Sequence, residues 1–132
     1  MNTAAINATL LTNLMYNIVN RILSNMVLTK KQRSKIAKQN RAKGYRVEYD
    51  NVWYHRNQNI FAFRIPSRQQ KGELSTLDVV VCTNPVQFHQ CKYRHDLMKK
   101  EEVERHKSLC KKYDVLPILC WRDRGLKFEP IL

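Results

Sequence analysis

The first 47 residues of this 132-residue chain contain no aspartate and no glutamate. The same stretch holds nine lysines and arginines, and the whole chain carries 24 basic against 11 acidic side chains, a formal net charge of +13. A field of this sign favours polyanionic partners, either nucleic acid or an anionic membrane surface. The excess is uneven, because residues 48–132 mix the remaining fifteen basic side chains with all eleven acidic ones.

Glycine and proline are also scarce, with three and four residues respectively, which argues against a low-complexity chain. No run reaches the roughly 18 apolar residues that a membrane-spanning helix needs. The apolar stretch near the N-terminus is interrupted by Asn13, Asn17, Asn20 and Arg21. We therefore expect a single folded domain with a modest core and no membrane partner.

Paired metal-binding cysteines are absent as well. The four cysteines lie at scattered positions, with no C-x-x-C pair and no histidine spacing that completes a zinc pattern. We interpret Cys82, Cys91, Cys110 and Cys120 as buried thiols of a protein in a reducing compartment.

Apolar residues recur every four positions between residues 4 and 27, which predicts a helix with one apolar stripe. Three interpretations of this helix stay open. It docks on the body of the protein or on another subunit, it is a targeting segment, or it follows an upstream start codon and the working protein begins at Met26.

Residues 29–43, TKKQRSKIAKQNRAK, form a basic run that contains a single isoleucine. Such a run is usually only a solvated face of a protein. Here its charge adds to that of the body, so we expect it to bind backbone phosphates, with Lys30, Lys31 and Arg33 among the contacts.

The rest of the chain predicts an α/β fold with a mixed sheet flanked by helices. Gly44 is expected to break the basic run, and a half-buried helix follows it. Three strands come next, and the turn signal Thr-Asn-Pro joins the last two as a hairpin. A helix that Asp96 could cap and two further strands complete the order. The segments are YRVEYDNVWYHRNQ, NIFAFRIP, LDVVVC, VQFHQCK, DLMKKEEVERHKSLCKKY, VLPILCW and GLKFEPI.

Three polar side chains fall at the ends of the predicted hairpin strands. Asp78 opens one strand, and Gln90 and Lys92 lie two residues apart on the next, so they point to the same face. If the hairpin pairs these strands, an acid, an amide oxygen and a lysine meet at one sheet edge. Hard oxygen donors there could hold Mg²⁺ for phosphodiester hydrolysis, although such residues also occur at strand ends by chance.

Four blocks in order, KGYRVE, FAFRIPS, LDVVV and QCK, resemble the archaeal Holliday junction resolvases of the PD-(D/E)-x-K nuclease superfamily. The resemblance covers about residues 43–132. It implies a restriction-endonuclease-like nuclease domain over residues 43–132. The resemblance does not cover residues 1–42, which we interpret as a basic helical extension. It also implies a Mg²⁺-dependent endonuclease, with Mn²⁺ as a substitute, that cuts branched double-stranded DNA as a homodimer. The expected location is the cytoplasm of an archaeal cell or of a virus-infected host cell.

The resemblance also implies roles for individual residues. The family's glutamate is replaced here by Gln90, so the metal site would carry one negative charge fewer. The implied catalytic residues are Glu48, Asp78, Gln90 and Lys92, and the implied metal ligands are Glu48, Asp78, Gln90 and Cys91. The implied DNA contacts are Lys43, Arg64, Ser67, Arg68 and Lys71. The charge of the basic run adds Lys30, Lys31 and Arg33 as expected phosphate contacts.

Three other functions stay open. A nuclease of the same superfamily could act on nicked or linear DNA. A catalytically silent DNA-binding module could retain the fold and the basic surface, and Gln90 is the residue that favours this alternative. An RNA-binding basic protein is the third, although no aromatic-rich RNA-binding signature supports it.

Overall fold

The computed structural model describes residues 3–26 and 28–132, and the predicted order of helix, three strands, helix and two strands is confirmed. The chain forms two compact units, one up to Gln39 and one over Asn40–Leu132. The helices are α1 (Thr3–Met26), α2 (Lys30–Arg56) and α3 (Lys100–Tyr113). The strands are β1 (Ala62–Arg64), β2 (Val79–Val81), β3 (Gln87–Cys91), β4 (Leu116–Arg122) and β5 (Leu126–Pro130).

The five strands form one mixed sheet in the order β1-β2-β3-β4-β5. The predicted hairpin is confirmed, because β2 and β3 are antiparallel with Val79 opposite His89. β3 and β4 are parallel, and α3 makes the crossover that a parallel pair requires. The sheet therefore places the start of β2 beside the end of β3.

α1 covers most of the predicted first helix, while residue 27 of that prediction lies outside the described residues. Its large apolar side chains between Leu10 and Leu23 are exposed. The interpretation of α1 as a docking helix therefore stays a prediction. Within the described ranges, none of the helices has both the length and the apolar content that crossing a membrane requires.

α2 begins with a capping box. The Thr29 amide donates to Gln32 Oε1 at 2.9 Å, and the Gln32 amide donates to Thr29 Oγ1 at 3.1 Å. The prediction that Gly44 breaks the basic run is wrong, because α2 continues to Arg56. A single glycine costs a helix only about 1 kcal/mol relative to alanine, and burial of Val47 and Val52 beyond it offsets that cost.

The predicted cap of α3 is also wrong. Asp96 lies in the short 3-10 turn His95–Leu97, and α3 begins later, at Lys100, after an extended Lys99. Two acids in the first turn, Glu101 and Glu102, place negative charge at the positive end of the helix dipole instead.

The core lies on both faces of the sheet, with β2 buried on each side. Val79 and Val81 pack with Val47 of α2 on one face, and Val80 packs with Leu109 of α3 on the other. Apolar residues at consecutive positions are typical of a strand covered on both faces. Of the four free cysteines, Cys82 is exposed, so the prediction of a buried thiol is wrong for that residue.

The buried histidine His89 ties β3 to α2. His89 Nδ1 lies 2.9 Å from Asn51 Nδ2 and His89 Nε2 lies 2.8 Å from Gln87 Oε1, a pattern that suits neutral imidazole with its proton on Nε2. Burial lowers the pKa of His89 to about 3, and the charges of His55 and His106 add to the shift. His89 therefore stays neutral in the folded protein at every pH near neutrality.

This burial predicts a loss of stability in mild acid. The unfolded chain takes up a proton at His89 below its ordinary pKa of 6.5, whereas the folded chain does so only near 3. The stability due to neutral His89 is therefore complete above pH 6.5 and lost as the pH falls, at about 1.4 kcal/mol per pH unit. Urea unfolding should show that the free energy of unfolding decreases from pH 6.5 to pH 5.0 by about 2 kcal/mol more in the natural protein than in His89→Gln.

His95→Gln is the matched control, because it removes an exposed histidine and leaves His89 in place. From pH 6.5 to pH 5.0, the free energy of unfolding of this variant should decrease by the same amount as that of the natural protein. Equal losses in the natural protein and His89→Gln would show that His89 does not carry the acid sensitivity.

Candidate active site

A cavity of about 470 Å³ opens where β2 begins and β3 ends. Glu48 of α2, Asp78 immediately before β2, and Gln90 and Lys92 at the end of β3 all line it. The structure thus brings together the four residues to which the resemblance assigned catalysis. Their catalytic roles stay predictions.

The Asp78 carboxylate is held in place by two donors. Cys91 donates its backbone N–H to Oδ2 at 2.7 Å, and Gln70 donates its side-chain amide to Oδ1 at 2.6 Å. Burial raises the pKa of Asp78 to about 7; the bond from Cys91 opposes this shift, and the negative charge of Glu48 adds to it. Asp78 is therefore a fixed carboxyl, and the positive charge of Lys92 also favours its ionised form.

Glu48 already has a cationic partner. Arg64 donates to Glu48 Oε2 from Nε at 2.9 Å and from Nη2 at 2.7 Å. The guanidinium also lies over the rings of Tyr49 and Tyr45, with 4.3 and 5.1 Å to the ring centroids. Arg64 was assigned to DNA contact, and the structure places it as the group that fixes Glu48 of the cavity.

Glu102 is a cavity residue that sequence reasoning missed. It lies in the first turn of α3, and its Oε2 accepts from Gln90 Nε2 at 3.1 Å and lies 3.2 Å from Lys92 Nζ. Gln90 is only 2% exposed, and its Oε1 is buried with no hydrogen-bond partner in the described part of the chain. The amide of Gln90 therefore has a satisfied donor and an unsatisfied acceptor, and the latter costs about 1–3 kcal/mol.

Cys91 lines the cavity, and it is the backbone N–H of this residue that bonds to Asp78. Its side chain belongs to the buried apolar cluster, and its Sγ lies 3.5 Å from Asn51 Nδ2. Burial, with the neighbouring Cys120, raises the pKa of this thiol well above its ordinary value. The position of the side chain therefore gives no support to Cys91 as a metal ligand.

The other residues assigned to DNA contact lie at the surface. Ser67, Arg68 and Lys71 follow β1 in an exposed loop, where Ser67 Oγ lies 3.0 Å from the Tyr45 hydroxyl. Lys43 lies over the Tyr93 ring, 5.6 Å from its centroid. Lys30, Lys31 and Arg33 are exposed in the first turn of α2, so their charges are accessible to a ligand.

The donors in the cavity suit a hard divalent cation. Among residues 3–26 and 28–132, no three histidine, cysteine, aspartate or glutamate side chains are arranged to enclose a metal ion. The cavity nevertheless offers the carboxylates of Asp78 and Glu48 and the unpartnered carbonyl of Gln90. Oxygen donors of this kind fit Mg²⁺, which keeps several waters and needs few protein ligands.

Comparison with known proteins supports the fold alone. No protein-family model matches the sequence, and none of the curated proteins compared with it matches. A solved structure is similar: Hjc, a Holliday junction resolvase from the archaeal hyperthermophile Archaeoglobus fulgidus, with 20% sequence identity and a TM-score of 0.54. The likeness covers 67% of this chain and 72% of that chain. The predicted α/β nuclease-like fold, with a central mixed sheet, flanking helices and helices at the N-terminus, is confirmed.

The bond between Arg64 and Glu48 predicts an effect on stability. Arg64→Ala leaves the Glu48 carboxylate, whose side chain is 9% exposed, without its cationic partner. We expect a loss of about 1–3 kcal/mol in the free energy of unfolding. The control is Arg68→Ala, an exposed arginine in the following loop, for which we expect a change within about 0.5 kcal/mol. Equal urea-unfolding midpoints for the two variants would contradict the structural role of Arg64.

Proposed function

We propose that this protein is a Mg²⁺-dependent endonuclease that cuts branched double-stranded DNA as a homodimer. The observation that carries the proposal is the convergence of Glu48, Asp78, Gln90 and Lys92 in one cavity. The similar fold of an archaeal Holliday junction resolvase supports it. The two facts differ in kind, because the first concerns the placement of side chains and the second concerns the course of the backbone.

Asp78, Glu48 and the Gln90 carbonyl would hold the cation. When bound, Mg²⁺ stabilises negative charge that develops on a phosphate and lowers the pKa of an attacking water. Asp78 contributes only when ionised, and burial raises its pKa to about 7. Proton and cation therefore compete for the same carboxylate.

Lys92 would act on the substrate rather than on the cation. Its ammonium group lies at the end of β3 on the same face as Gln90, and its side chain is 31% exposed. A positive charge in this position can neutralise the phosphate in the transition state. Lys92 is bonded to Glu102 here, so this role requires that the ammonium exchange Glu102 for a phosphate oxygen.

The preference for branched DNA rests on charge and symmetry. Exposed basic residues such as Arg68 and Lys71 lie in the loop that leads to Asp78 and can contact backbone phosphates near the cut. Resolving a four-way junction takes two symmetric cuts, which a twofold dimer supplies with two copies of one site. The homodimer is part of the proposal for this reason.

One observation favours a second candidate, a DNA-binding module without catalysis. Glu102 bonds to the amide nitrogen of Gln90 and to the ammonium of Lys92, so the candidate catalytic lysine is already paired with an acid. Such a module would bind a four-way junction and leave it intact with every divalent cation. Intact Glu48 and Asp78, aimed at the same cavity, count against it.

Asp78→Asn tests the proposed metal site. Asparagine keeps the size of the side chain and removes the charge that would hold the cation, whereas the lysines and arginines that contact phosphates remain. We expect nicking of a labelled four-way junction to fall below detection while the binding affinity in a gel-shift assay stays the same or improves.

Asp96→Asn is the matched control, because Asp96 is exposed outside the cavity. It should nick at the natural rate. Near-normal nicking by Asp78→Asn at saturating Mg²⁺ would contradict the metal-site assignment.

Mn²⁺ should support cleavage by the natural protein at lower concentration than Mg²⁺, because it binds mixed oxygen sites more tightly.

Neutralising the basic start of α2 tests its proposed role in phosphate binding. The triple variant Lys30→Gln, Lys31→Gln, Arg33→Gln keeps good helix formers and leaves the capping box of Thr29 and Gln32 intact. The slope of log affinity against log salt should become shallower by about 0.9 for each DNA phosphate that the variant no longer neutralises.

The control for this triple variant removes the same charge from the other compact unit, with Lys107→Gln, Lys111→Gln and Lys127→Gln. None of these lysines lines the cavity in the described part of the chain. The slope should change less than in the first triple variant. An unchanged slope in the first variant would mean that the basic run is not a DNA-binding arm.

A further inference from the structure

Glu102 has no counterpart among the residues that the resemblance assigns. The acidic residues that line the cavity, within the described part of the chain, are Glu48, Asp78 and Glu102. Glu102 is the one that comes from α3, on the opposite face of the sheet from α2. Its side chain is only 21% exposed, so its charge lies mostly inside the site.

The fold explains why α3 delivers a carboxylate to this point. α3 begins eight residues after Lys92, and its first turn returns to the end of β3 from which the chain left. Negative charge in the first turn of a helix is stabilised by the helix dipole. Glu102 is thus held at the cavity by the dipole, by the Lys92 ammonium at 3.2 Å and by the Gln90 amide at 3.1 Å.

Gln90 fits beside Glu102 in a way that a glutamate would not. Its Nε2 donates to Glu102, so its Oε1 is the part of the amide left without a partner, buried in the lining of the cavity. A carboxylate at position 90 would lie about 3 Å from the Glu102 carboxylate, where like charges repel strongly. The neutral residue at position 90 and the acid at position 102 therefore complement each other.

We propose that Glu102 supplies to the metal site the carboxylate that a glutamate at position 90 would supply, with Gln90 as the residue that positions it. This inference rests on the proposed function, because it concerns the same cation. Glu102 turns from Lys92 toward the cation, and the released ammonium becomes available to the substrate phosphate. The site then has three carboxylates in place of two, and Gln90 contributes its unpartnered carbonyl.

Binding of Mn²⁺ without DNA tests the inference independently of cleavage. Isothermal titration at pH 8, above the pKa of Asp78, should show affinity weakened at least about tenfold by Glu102→Gln. Glu101→Gln is the matched control, since it removes an exposed acid from the same helical turn, and its affinity should stay within about twofold. The double variant Gln90→Glu, Glu102→Gln moves the charge to β3 and should restore affinity to within about threefold of the natural protein.

The outcomes separate this inference from the proposed function. If Asp78→Asn abolishes Mn²⁺ binding and Glu102→Gln binds as the natural protein does, the role of Glu102 is overturned and the metal site stands. If the natural protein binds no Mn²⁺, both are overturned. Should Glu102→Gln fail to unfold cooperatively, the double variant decides alone: natural affinity supports the inference, and affinity as low as that of Asp78→Asn overturns it.

Discussion

The partial burial of one carboxyl group, that of Asp78, is the constraint on which the rest of the site depends. An ionised carboxylate in a water-poor position is costly unless hydrogen bonds or a cation compensate for the lost hydration. The fold supplies two hydrogen bonds, from Gln70 and from the Cys91 backbone, and these leave the pKa at about 7. The charge of Lys92 also favours the ionised form, and in the proposed function a bound cation would supply further positive charge beside this carboxyl.

The packing beneath the cavity keeps this arrangement fixed. Val79 and Val81 are fully buried directly after Asp78, and the register of β2 against β3 sets the distance from Asp78 to Cys91. On the other face His106 joins two elements, since its Nε2 lies 2.8 Å from the Phe88 carbonyl and its Nδ1 lies 3.1 Å from Thr76 Oγ1. A site assembled on paired strands and packed helices is held more tightly than one built on loops.

The sequence predicted the parts of the site that follow from strand periodicity. Gln90 and Lys92 share a face because side chains alternate along a strand, and the hairpin turn placed Asp78 beside them. The sequence did not predict Gln70 or Glu102, because their positions depend on how the loop before β2 and the rotation of α3 settle against the sheet. Glu102 looked like one more acid at a helix start, and Gln70 like one polar residue in a polar loop. The prediction at Gly44 was wrong for a related reason, because burial of residues farther along α2 outweighs the low helix propensity of one glycine.

The most direct test of the account is cleavage of a labelled four-way junction by the natural protein, with Mg²⁺ and with a chelator. We expect paired nicks at symmetric positions on two opposing strands in Mg²⁺ and an intact junction in the chelator. Tight binding of the junction without nicks in Mg²⁺ or Mn²⁺ would contradict the assignment of the cavity as an active site. It would leave the protein as a DNA-binding module with a nuclease-like fold.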